Sequence, residues 1–307
     1  MSSPLPPQPQ PSSPPTSPRS IEPRVVAAGA GAAWWGEGWR IFTSRLGTWI
    51  GIAIVYIIVS LALSKVPYIG GLAQWLLTPV FIGGIMLGCN ALDRGEPLRF
   101  SHLFDGFTGP HFVPLLTIGV FNIVLAVVAV IACCAVIAAG VGMAGLTNLD
   151  KLSDDPLRML GEFGFVAFLL LVLVLIAVAI YLMANWFAPA LIVLGEARAA
   201  DAMRASFRAS LRNWVPFLVY GAIGVGLLLA VIAVFAMLVG VIGFGAVMTM
   251  VTGNGNWGSM IFGVLLILVA YVAVTVVVAP VTFGSVYAGY RDILAADNSA
   301  TANAASR

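Results

Sequence analysis

From Trp214 to Gly243 the chain carries no charged side chain, and five further stretches approach the same pattern. Runs of this length and polarity restrict the backbone to helices long enough to cross a bilayer. The six predicted spans cover about residues 49–64, 72–92, 112–140, 165–194, 214–243 and 259–290. With 60% hydrophobic residues, 9% charged residues and a mean hydropathy of +1.01, a soluble globular class is excluded. The expected fold is all-α, a six-helix transmembrane bundle.

Two of the spans share a design. Thr78–Glu96 reads TPVFIGGIMLGCNALDRGE, and Ala279–Asp292 reads APVTFGSVYAGYRD. Setting Pro79 on Pro280 matches Val80 with Val281, Gly83 with Gly284, Gly84 with Ser285 and Gly88 with Gly289. Both copies hold a small-xxx-small pair, which lets helix backbones approach closely in lipid. Each proline removes one ladder hydrogen bond, so a kink is expected near both. These features predict that the second and sixth spans meet near the bundle centre through Gly84/Gly88 and Ser285/Gly289, with Gly83 on another helical face.

A second echo pairs Phe42, Leu46 and Trp49 with Phe207, Leu211 and Trp214. The implied unit is an interfacial helix followed by a helical hairpin, repeated in parallel orientation. Trp186 and Pro189 hint that the middle pair of spans is a third, degenerate copy. Trp39, Arg40, Arg45 and Trp49 mark the first interfacial segment. Arg204, Arg208 and Arg212 recur at helical spacing in the second, which ends at Trp214. Met203, Phe207 and Leu211 form the opposite stripe, expected to face acyl chains. The partners this pattern implies are membrane lipids, with anionic headgroups on the cytosolic side. A second copy of the chain or another membrane protein is also compatible, and nothing points to nucleic acid.

Twelve of the fifteen basic residues fall on one side of the predicted topology, leaving Lys65, Lys151 and Arg158 on the other. The imbalance places both termini and Arg94 and Arg204 in the cytosol, and the loop 150–162 in the periplasm. Residues 1–33, proline-rich at the start, are expected to form a disordered cytosolic tail, residues 34–293 the membrane domain, and 294–307 a flexible end.

Candidate chemistry is sparse. His102 and His111 lie in the loop between the second and third spans with Asp93, Glu96 and Asp105, yet no ligand cluster of recognised spacing accompanies them. Cys89, Cys133 and Cys134 form no disulfide framework. The spans hold no ionisable residue deep in the bilayer, which argues against a proton-coupled pump. No catalytic, cofactor-binding or metal-binding residue is assigned.

The entry Gly38, Trp39 and Phe42, the run from Pro79 to Glu96 and the segment His102–Phe107 resemble an uncharacterised proteobacterial family of multi-pass inner-membrane proteins. The plan is also similar to YciC-like proteins and to the membrane domain fused to some glycerophosphodiester phosphodiesterases. The resemblance implies a bacterial cytoplasmic-membrane location and carries no catalytic residue over. Three roles stay open: a non-enzymatic protein of envelope organisation or partner binding, a small transporter, channel or lipid-handling protein, and a membrane enzyme.

Overall fold

The computed structural model describes residues 22–146, 156–251 and 257–295. The proline-rich stretch 1–21, the first part of the expected periplasmic loop (150–155) and the C-terminal end from 296 lie outside these residues. Nine α-helices follow among the described residues: α1 (Ala30–Ser44), α2 (Leu46–Ser64), α3 (Ile69–Asp93), α4 (Phe112–Leu146), α5 (Pro156–Asn185), α6 (Ala188–Gly195), α7 (Ala199–Arg212), α8 (Trp214–Val251) and α9 (Trp257–Tyr290). A 3-10 segment, Phe100–Phe107, precedes α4, and a π-helical turn, Arg291–Ala295, closes α9. Six of the helical stretches are long and apolar enough to cross a membrane. The all-α, six-span class is therefore the observed one.

The hairpins α2/α3, α4/α5 and α8/α9 pack mainly at the end that carries the arginines. There the short segments gather: α1 packs on α8 and α9, the 3-10 segment on α3, and α7 on α5 and α6. Away from that end the helices turn apolar side chains outward, and none of the most apolar window of α8 is buried. A face this apolar is stable only against acyl chains or another apolar surface.

Three boundaries differ from the sequence reading. The loop expected over 93–110 holds the 3-10 segment, with Leu103 fully buried and Leu98 nearly so. The fourth span is broken at Trp186 and Phe187 rather than continuous to Leu194. Ser206 of α7 occupies the gap: its hydroxyl donates to the Met183 carbonyl (2.7 Å) and accepts from the Phe187 N–H (3.0 Å), a pair that an uninterrupted helix would join directly. Pro189, two residues on, cannot supply the next turn's N–H, which favours a break here. Third, the chain is in place well before residue 34. Asn213 accepts from the Val26 N–H and donates to the Arg24 carbonyl, both at 2.9 Å, while the Arg24 N–H reaches the Ile293 carbonyl.

Candidate functional site

The small residues that follow the two prolines do not face each other. Gly84 approaches the backbone carbonyls of His102 and Leu103, and Gly88 lies against Leu98 and His102. Ser285 donates to the Thr282 carbonyl and lies 2.7 Å from the Tyr220 hydroxyl, Gly284 lies against Gly38 and Ile41, and Gly289 meets the rings of Phe187 and Trp34. Gly83, expected on a different face, is buried against Leu115 and Val193. Pro79 and Pro280 are buried too, and both helices run on through them. The expectation that these helices meet through their glycines is thus overturned. Each small stretch instead receives a short segment that the sequence presents as loop or lipid-facing helix.

The two receptions are alike in detail. A methyl group on Gly38 would meet the Val281 carbonyl oxygen and the Ser285 nitrogen. One on Gly106 would meet the Val80 carbonyl oxygen and the Gly84 nitrogen. These are the residues that the proline alignment pairs. The chemistry of the match is steric: without a hydrophobic drive between helices in lipid, close backbone approach supplies dispersion contacts.

Helix α1 therefore has a protein-facing side. Gly31, Trp34, Gly38, Ile41 and Phe42 are buried, and Trp35 stacks on Tyr220 at 4.7 Å while its indole donates to the Tyr220 carbonyl. Trp49, expected at the lipid interface, is 1% exposed and donates to the Ile41 carbonyl, fixing the corner at Arg45. Trp39 and Trp214 do point outward, as does the Arg40 side chain. On α7 the buried face is Ala202, Ala205, Ser206, Ala209 and Ser210, so small residues lock it to α5 and α6. Leu211 is exposed and Met203 and Phe207 are half-buried, while the fully buried face of the helix is the small-residue one. Arg204, Arg208 and Arg212 are exposed, and among the described residues their one ion-pair partner is Asp201, 3.8 Å from Arg204.

Where α1, α3 and α9 converge, four charges form a chain. Glu37 binds Arg40, one turn on, and Arg291 at 3.3 Å; Arg291 reaches Asp93 at 2.6 Å. Tyr287 donates to Asn90 and Asp93, and the Trp34 indole to Asp292 at 2.9 Å. The Arg40 hydrogen bond holds the Glu37 carboxyl below its ordinary value, against partial burial. Sequence reasoning passed over Glu37, Asn90, Tyr287 and Asn213. The Asp93–Arg94 and Arg291–Asp292 pairs, set at the ends of the matched stretches, were the available signal.

His102 is a structural residue here. Its Nδ1 accepts from the Arg99 N–H at 3.0 Å, and Asp105 lies 3.9 Å from Nε2. Among the described residues no cluster of three His, Cys, Asp or Glu side chains is placed to hold a metal ion. Cys89 is buried and Cys133 is exposed, and none of the three cysteines is paired.

Comparison with known proteins finds a relative for this chain. A probable inner membrane protein of Burkholderia thailandensis is 31% identical over 234 residues, covering 74% of this chain and 83% of the relative. No family model matches the chain, and no solved structure does.

Proposed function

We propose a role from one premise: the chain belongs to the inner-membrane protein family of which that Burkholderia protein is a member. The role is non-enzymatic, in envelope organisation at the cytosolic leaflet, where the protein gathers anionic headgroups on its arginine-bearing end. The observation that carries it is α7. Its small-residue face is locked to α5 and α6, and this holds Arg208 and Arg212 outward with no ion-pair partner among the described residues. A basic side chain at an anionic surface contributes about 1 kcal/mol, so a fixed row of them selects lipids in a salt-dependent way.

The test uses the full chain in native-membrane nanodiscs. Wild type is expected to be enriched in anionic phospholipid over the bulk membrane, and the Arg204→Gln, Arg208→Gln, Arg212→Gln variant to lose that enrichment. Equal lipid composition around both proteins would refute the role. Lipid handling is the second reading, favoured by an apolar cavity of about 140 Å³ beside Pro280. Flux of labelled lipid in proteoliposomes distinguishes it, since an organising protein leaves that rate at background.

A further inference from the structure

Two cavities follow one another along a single edge of α3. The first, about 360 Å³, opens at the arginine-bearing end between α1 and the end of α3, lined by Arg40, Ser44, Arg45, Cys89, Asp93 and Glu96. The second, the apolar cavity of about 140 Å³, is bounded by Trp49, Ile52, Ile82, Ile85 and Phe283. Cys89 and Ile85 stand on neighbouring turns of α3, as Arg45 and Trp49 do at the start of α2. The pair thus runs from the membrane interface into the apolar region.

Charge accounting selects the occupant. Of the ionised groups lining the first cavity, Arg40 is held by Glu37 and Asp93 by Arg291. Arg45 and Glu96 remain, with no side-chain partner among the described residues and not paired with each other. An anion alone would satisfy Arg45 and be repelled by Glu96, and a cation alone would do the reverse. A headgroup carrying a phosphate and a primary ammonium meets both. Its ammonium has N–H groups to donate to the carboxylate, which a quaternary ammonium lacks.

We propose that this cleft binds one zwitterionic aminophospholipid, a phosphatidylethanolamine. The phosphate pairs with Arg45, the ammonium with Glu96, and an acyl chain follows Trp49 and Ile85 into the apolar cavity. The site is separate from the arginine face of α7 and does not rest on the role proposed for it.

The experiment is native mass spectrometry of the full-length protein equilibrated with equimolar phosphatidylethanolamine, phosphatidylcholine and phosphatidylglycerol. Wild type is expected to retain phosphatidylethanolamine over both others by up to about fivefold, the most an exposed ion pair supplies. Glu96→Gln should bring its retention level with phosphatidylcholine, and Arg45→Gln should lower both together. Glycerophosphoethanolamine, the headgroup without chains, should not displace the lipid at matched concentration. Equal retention of the three lipids by wild type, an unchanged preference in Glu96→Gln, or displacement by the chain-free headgroup would each overturn the proposal. Failure here leaves the enrichment test on α7 unaffected.

Discussion

Two glycines on α1 separate intrinsic helix stability from packing. Gly36 is exposed, and a methyl group added there would have nothing within 4 Å, whereas Gly38 would drive a methyl into the backbone of α9, with the Ser285 nitrogen at 2.8 Å. Replacing either by alanine gains about 1 kcal/mol of helix propensity. At Gly36 nothing opposes that gain, so Gly36→Ala should raise stability by about 1 kcal/mol. At Gly38 the neighbours are backbone atoms of α9, which cannot rotate aside, so α1 must move off the helix. Overpacking of this kind costs about 1–3 kcal/mol. The difference between the variants is then about 1–3 kcal/mol, with Gly38→Ala the weaker. Thermal unfolding of the purified protein in detergent reads this as an ordering of Tm values: Gly36→Ala above wild type, Gly38→Ala below Gly36→Ala. If the two variants melt together, α1 is not seated on α9 through Gly38, and the packing argument fails.

Ser206→Ala should cost about 2 kcal/mol, because the hydroxyl that bridges Met183 and Phe187 leaves buried groups unpaired; the same melting assay checks it. Asn213→Leu removes the amide that holds Arg24 and Val26, so hydrogen exchange at the Val26 N–H should lose its protection while that of the α3 core is retained. Glu37 is held below its ordinary value of 4.5, chiefly by Arg40. Its folded pKa is below its unfolded one, so its contribution is complete above about pH 4.5 and is lost as pH falls through the folded value. Wild type should therefore lose more Tm than Glu37→Gln on acidification across that window. For the cytosolic assignment of the termini, cysteine at Ser64 should react with impermeant maleimide in cells with a permeabilised outer membrane, and cysteine at Ser101 should not. The opposite labelling would invert the topology.

Class and span number were legible in the sequence because they depend on properties that add along the chain. An uncharged run such as Trp214–Gly243 leaves the backbone no option in lipid but the helix, whatever its neighbours are. The prolines and glycines of the matched stretches were equally visible as sites of close approach. Their partners were not, since a glycine announces room for a backbone without saying whose. Only the tertiary structure assigned α1 and the 3-10 segment to those positions, giving Gly38 to Val281 and Gly106 to Val80. The same holds for Trp49, whose composition suits a lipid interface but whose indole found the Ile41 carbonyl inside. Ser206 in the gap of the fourth span and Asn213 beside the N-terminal segment are likewise ordinary polar residues until the fold brings unpaired backbone groups to them. Propensity and hydropathy are local sums; which backbone fills which groove depends on contacts between residues some two hundred positions apart, as for Val26 and Asn213, and those exist only once the helices have packed.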